Sequence, residues 1–276
     1  AVEHVPMTVV NHGLSWSVPG DVELVRERVL EARMAAEGPL HELGAIGIVN
    51  SDSQGMGRIG ETFRRTFQLA HVMKAWRRSE AAAGIPGLPD DPTAGASSPA
   101  DDRDDTARVL RYLAKVTLEP AITHGIADHV GSLRPGRLAD IVLWKPGFFG
   151  VKPEWVFKGG FPAWGPLGDG NASLERAEPT RYRRDWAGTA GAAPKVSLTF
   201  ISGAVDPAAL ARRLGTRRTL VAVRGVRGLT RASLHANRAV APVDIDVRTG
   251  AVSLGGRPLA VAPVADVPLS RRYLLR

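Results

Sequence analysis

Ala45-Ile46-Gly47-Ile48-Val49-Asn50-Ser51-Asp52-Ser53-Gln54-Gly55-Met56-Gly57 is the stretch on which the fold turns. The small and apolar residues Ala45 to Val49 stop abruptly at a polar Asn-Ser-Asp. A run this short, bounded by turn residues, predicts a strand buried on both faces. The glycines at 55, 57 and 60 then lead into a segment where Phe63, Phe67, Ala70, Met73 and Trp76 recur at helical spacing. That spacing predicts a long amphipathic helix from Glu61 to about Arg78.

Toward the N-terminus, Met7–Val10 is short and apolar and is followed by a polar glycine turn, Asn11-His12-Gly13. Pro19-Gly20-Asp21 predicts a helix start that runs to about Arg33, with Asp21 as N-cap or first-turn carboxylate. Toward the C-terminus, residues 84–105 hold four prolines, three glycines and a run of Asp, which predicts a surface loop or disordered insert. A helix is expected over Thr106–Thr117. From Gly131 the period becomes two, and Asp140–Trp144 and Trp155–Phe157 read as strands. A mixed segment begins near Leu198, with a helix over Pro207–Leu214 and strands at Thr219–Val223 and Val243–Val247. No internal repeat is present.

The expected class is therefore α/β, with a barrel-type strand–loop–helix unit in residues 1–130 (84–105 inserted), a β-rich segment 131–184 and a mixed segment 185–276. A closed (β/α)₈ barrel takes about 250 residues. With one strong unit before residue 130, the sequence predicts the C-terminal portion of such a barrel carrying an inserted small β domain.

Composition narrows the function. The 276 residues include no cysteine, which excludes disulfides and thiolate metal sites. The start, Ala1-Val2-Glu3-His4, has no basic or apolar leader, and no window approaches the roughly 20 apolar residues of a membrane span. The expectation is a cytoplasmic protein, without membrane association, whose first residue need not be its biological start. The net charge of +8 rests on arginines spread through apolar sequence, such as Arg217, Arg218, Arg224, Arg227 and Arg231. Aromatic and basic residues do not interleave, so nucleic acid is not expected as a partner.

Asp52 stands where a strand ends and a loop begins, the end of a barrel strand at which active sites are built. A carboxylate there suits a divalent metal or a general base; it equally suits capping of the glycine-rich turn. His12, in its loop, is either a surface histidine or an acid on a moving segment, since imidazole titrates near neutral pH. His4, His41, His71, His124, His129 and His235 form no His-x-His or His-x-x-x-His pair, so no chelating pair is visible.

Several segments together, in order, resemble the catalytic (alpha) subunit of the ureases, within the amidohydrolase superfamily: Val10-Asn11-His12-Gly13-Leu14; Asn50 through Glu61; Pro120-Ala121-Ile122-Thr123-His124-Gly125; Gly136 through Trp144; Phe148-Phe149-Gly150-Val151-Lys152-Pro153; and Arg272-Tyr273-Leu274-Leu275. The Gly-x-Leu-Ala-Asp pattern belongs to amidohydrolases broadly; its combination with Ser-Asp-Ser-Gln and Phe-Phe-Gly-Val-Lys-Pro is specific to urease. The resemblance covers the chain outside the proline-rich insert and corresponds to the C-terminal half of that subunit.

What the resemblance implies is a urea amidohydrolase with two nickel ions. Asp52 matches a nickel ligand and His12 the proton donor on the active-site flap. Arg28 matches a substrate-reaching arginine, Gly55 a carbonyl that holds a urea amide, and Met56 a pocket wall. It implies as partners the N-terminal half of the alpha subunit and the urease beta and gamma subunits, in an oligomer of trimers. Two departures stand out: Asn11 and Gly13 replace the outer residues of the family's Cys-His-His, and the family's remaining metal ligands, two pairs of histidines and a carbamylated lysine, have no counterpart here. Either the chain is half of a longer or split subunit, or it is inactive alone. A relative acting on another amide and a non-catalytic assembly piece are the alternatives.

Overall fold

A computed structural model describes residues 4–53, 57–89, 104–166, 177–178 and 191–268. The chain divides into two compact units, one of residues 1–113 with 236–268, the other of 114–235 with 269–276. It is a mixed α/β protein with three small sheets among the described residues.

The first unit holds α1 (His4–Asn11), α2 (Pro19–Arg28), α3 (Glu31–Leu43), α4 (Ile59–Trp76) and most of α5 (Thr106–Ala114). The helix expected over 61–78 is α4, and Phe67, Ala70, Met73 and Trp76 are buried along it. Phe63 meets Phe67 edge to face, with ring centroids 5.1 Å apart. Gly38 of α3 is what lets α3 approach α4, because a Cβ there would lie 2.8 Å from the Met73 methyl. The returning segment is tied to α4 by two long side chains. Trp76 Nε1 donates to the Ala260 carbonyl at 2.9 Å and Gln68 Nε2 to the Pro268 carbonyl at 2.7 Å.

A buried carboxylate organises this unit. Glu42, 1% exposed, receives Arg108 Nη1 at 2.6 Å, Arg111 Nη2 at 2.8 Å and the Tyr112 hydroxyl at 2.9 Å. Arg111 also donates to the Glu42 carbonyl, and the Arg111 carbonyl accepts from Asn237 Nδ2 at 3.2 Å. One carboxylate thus links the end of α3 to α5, and the segment at 237 closes over the same place.

Two expectations are corrected here. The helix expected over 19–33 breaks at Val29 and Leu30, which leave the helical conformation between α2 and α3, Leu30 being extended. The break redirects the chain so that α3 packs on α4, while Leu30 lies against Gly250, where a Cβ would meet its Cδ1 at 2.8 Å. The strand expected at Ala45–Val49 does not form. The N–H groups of Ala45 and Ile46 close α3 by donating to the Leu40 carbonyl, and residues 47–51 are irregular. A strand needs a lateral neighbour to take its backbone hydrogen bonds. Every strand among the described residues pairs elsewhere.

This unit also holds the antiparallel sheet β7 (Val243–Ile245), β8 (Val252–Leu254), β9 (Arg257–Pro258), in the order of the chain. Gly255 and Gly256, with φ of +57° and +75°, make the two-residue turn between the last two. Such a turn needs two left-handed residues, which glycine supplies without strain.

The second unit holds α6 (Leu118–Thr123), α7 (Ala192–Lys195) and α8 (Pro207–Leu214). The helix expected through Thr117 stops at Ala114, and Pro120 instead lies in the first turn of α6, where its missing N–H costs no hydrogen bond. An antiparallel meander runs β1 (Ile141–Trp144), β2 (Pro153–Lys158), β3 (Phe161–Pro166) and β4 (Ala177–Glu178). Asp140 secures its second hairpin, accepting Gly159 N–H at 2.9 Å and pairing with Lys158 at 2.7 Å. β5 (Leu198–Ile201) and β6 (Thr219–Ala222) pair in parallel, with α8 as the crossover. Asp206 caps α8 by accepting from the N–H groups of Ala208 and Ala209.

Burial, reinforced by the Glu42 charge, pushes the Tyr112 hydroxyl well above its ordinary value. Its folded pKa therefore exceeds the unfolded one, about 10. The contribution is complete below that value and is lost as pH rises from there through the folded pKa. Guanidinium denaturation is expected to show stability falling above about pH 10 in the native chain and less steeply in Tyr112→Phe. Glu42→Ala, which removes the carboxylate from the buried Arg108 and the partly buried Arg111, should cost about 3–5 kcal/mol in the same measurement.

Candidate functional site

His12 sits at the C-terminus of α1, in a cap built on backbone hydrogen bonds. Leu14 N–H donates to the Val9 carbonyl at 2.9 Å and Gly13 N–H to the Val10 carbonyl at 3.3 Å, with Gly13 left-handed at φ +62°. This is the Schellman arrangement, for which glycine is the favoured residue after the cap. The departure at Gly13 therefore has a local physical use. His12 is exposed, and its Nδ1 lies 2.9 Å from the Thr8 carbonyl. A carbonyl only accepts, so Nδ1 carries the proton of that bond and Nε2 is left to exchange one with a ligand.

The chain from His12 to α2 is held by Asp21, whose Oδ2 accepts Ser15 N–H at 2.9 Å. Asp21 is the first-turn carboxylate of α2, as expected, and it also fixes the preceding loop. Pro19 occupies the first turn of α2, and Val25 is the side chain that this helix buries. Arg28, the last residue of α2, is exposed.

Asp52 lies in the loop before α4 with φ +46°, left-handed for a residue that has a Cβ. Its carbonyl accepts Gly57 N–H at 2.7 Å, and its side chain is exposed. The turn is closed by the Asp52 backbone, and no N–H of the described residues is capped by its carboxylate. Gly57 passes so close to the Ser51 carbonyl that a Cβ there would overlap it. At the start of α4, Glu61 pairs with Arg65 at 2.7 Å, and that hydrogen bond holds its carboxyl below the usual value. Gly55 and Met56 lie outside the described residues.

No hydrogen bond or ion pair joins His12, Arg28 and Asp52 among the described residues. Nor do those residues contain a group of three or more His, Asp or Glu side chains that could hold a metal ion. The donors present thus do not fit a two-nickel site by themselves: Asp52 offers one carboxylate. Sequence reasoning did not anticipate a cleft of about 930 Å³ on another face of α2, lined by Trp16, Val22, Arg26, Leu30, Arg33 and Arg248 among others. Its lining comes from α2, from Trp16 before it, from Leu30 and Arg33 after it, and from the β7–β8 hairpin at Val247 and Arg248.

The model of the amidohydrolase family matches residues 4–162, more than half of the chain, and the chain belongs to that family. Over 275 residues it is 46% identical to urease subunit alpha 1 of Streptomyces avermitilis and 45% identical to urease subunit alpha 2 of Streptomyces coelicolor. Each alignment takes in 99% of this chain and 45% of the relative, so the chain spans about half the length of the relatives it matches. No helix of the described residues is long and apolar enough to cross a membrane.

Asp is among the residues that tolerate the left-handed region, and a β-branched side chain is not. Asp52→Asn is expected to leave the thermal midpoint unchanged, whereas Asp52→Val should lose about 1–2 kcal/mol. Differential scanning calorimetry of the two variants checks this, and it separates the backbone role of residue 52 from any role of its carboxylate.

Proposed function

We propose that this chain supplies part of a urea-hydrolysing active site, corresponding to the C-terminal portion of a (β/α)₈ barrel. In this reading residues 1–130 are the last barrel units, 131–184 a β-rich segment and 185–276 a mixed C-terminal segment. The observation that carries it is an alignment at 46% identity to a urease alpha subunit that takes in 99% of this chain; in this reading Asp52 takes the role of a metal ligand and His12 that of the flap acid. The exposed side chains of Asp52 and His12 support it.

The reaction is urea and water to ammonia and carbamate. His12 gives the proton on Nε2 to the departing amine nitrogen, and the Thr8 carbonyl holds the ring through Nδ1. Arg28 donates to the substrate, Gly55 offers a carbonyl to the urea amide, and Met56 walls the pocket. Nickel, implied by the resemblance, would supply Lewis-acid polarisation when bound, and Asp52 would be one of the residues that hold it. The other ligands come from the N-terminal half of an alpha subunit, with urease beta and gamma subunits as further partners in an oligomer of trimers.

The test is co-expression of the chain with a polypeptide carrying the rest of a urease alpha subunit, plus the other urease subunits, followed by nickel loading. Ammonia release from urea is expected from the assembly, and its absence at full nickel content would refute the reading. The chain alone, by ligand count, should retain no tightly bound pair of nickel ions in equilibrium dialysis. In the active assembly, His12→Ala should lower kcat about 10²–10⁴-fold with little change in KM, because an acid acts on charge developing in the transition state. Asp52→Ala should instead reduce nickel content and activity together.

A further inference from the structure

In the second unit, α8 ends at Gly215, left-handed at φ +61°, and the chain turns directly into β6. Arg212 and Arg213 lie in the last turn of α8, and Arg217 and Arg218 immediately precede β6. The parallel pairing of β5 and β6 with a helical crossover places these four at one end of the sheet. All four are exposed, as is Leu214 between them at 60%. None makes an ion pair among the described residues.

The charge is unbalanced over the whole element. Residues 196–235 contain seven arginines (212, 213, 217, 218, 224, 227 and 231) and one carboxylate, Asp206, a net of 7 − 1 = +6. Asp206 is already committed to the N-terminus of α8, at the far end of that helix. Arg212 and Arg213 do complement the α8 dipole, but Arg217 and Arg218 stand outside the helix. Four guanidinium groups with no carboxylate among them repel one another, and a partner's carboxylates would relieve that repulsion.

The chemistry of the surface selects the partner. Every cation in residues 196–235 is Arg, the planar fork that pairs bidentately with carboxylates and phosphates. Phe200 is the one Phe, Tyr or Trp there, and it lies on β5 against His129, ring centroids 6.2 Å apart, so no stacking platform for bases is offered. Arg is enriched at protein interfaces, and the exposed Leu214 set among the arginines offers an apolar surface to bury beside them.

We propose that the turn between α8 and β6 docks an acidic segment of a partner protein, its carboxylates on Arg212, Arg213, Arg217 and Arg218 and an apolar side chain against Leu214. This surface is independent of the urea-hydrolysing reading and stands or falls without it. The test is fluorescence anisotropy of the full chain with a labelled peptide of repeated Glu-Glu-Leu, beside repeated Gln-Gln-Leu, repeated Glu-Glu-Gly and a single-stranded oligodeoxynucleotide. Glu-Glu-Leu should bind more tightly than the other three and weaken with added salt. Changing the four arginines together to Gln should weaken it at least about tenfold, as a control set of Arg26, Arg33, Arg134 and Arg248 to Gln should not. Leu214→Ser, at an exposed position, keeps the fold and should lower affinity for Glu-Glu-Leu towards that for Glu-Glu-Gly. Equal weakening by the control set, tighter binding of the oligonucleotide, or no binding of Glu-Glu-Leu at low salt would each overturn the proposal.

Discussion

The Glu42 carboxylate, nine-tenths or more enclosed with two guanidinium groups and a phenol, is the constraint on which the first unit depends. A charge withdrawn from water is tolerable only when its partners are held in place, and once held they fix the elements that carry them. Here those elements are the last turn of α3 and one face of α5, with Asn237 joined through the Arg111 carbonyl. Gly44, left-handed at φ +76°, follows at once, so the loop bearing Asp52 leaves from a point anchored by this cluster. The position of the candidate site is thus set by polar burial some residues before it.

Local signals in the sequence carried much of the secondary structure. The apolar spacing of α4, the Asp206-Pro207 start and Gly215 stop of α8, and the strands at Ile141, Trp155, Thr219 and Val243 were all legible. The break at Val29–Leu30 was not, because neither residue is a helix breaker and the packing that demands it comes from Gly250, far along the chain. The Glu42 cluster was equally hidden, since its partners lie 66 to 70 residues away. At Ala45–Val49 the pattern of a buried strand was present while the lateral pairing that makes one was not. A hydrophobic run states a preference for burial; hydrogen-bonded neighbours decide whether it becomes a strand.

The candidate site residues came from the family resemblance rather than from geometry. Motif order singled out His12, Arg28 and Asp52, and the family match and the alignments to urease alpha subunits agree with the resemblance that named them. The left-handed backbone of Asp52, the Thr8 carbonyl behind the His12 ring and the Asp21 clasp on Ser15 had no signal beyond the turn-forming character of their neighbours.

The cap after α1 also bears on how such a site can change. Gly13 and the carbonyls of Val9 and Val10 stop the helix through backbone hydrogen bonds, and the His12 side chain adds one contact of its own, Nδ1 to the Thr8 carbonyl. The shape of the loop and the chemistry it presents are therefore largely separable properties. A lineage could exchange the imidazole for another functional group by a single codon change, at the loss of that one contact, and keep the loop that delivers it.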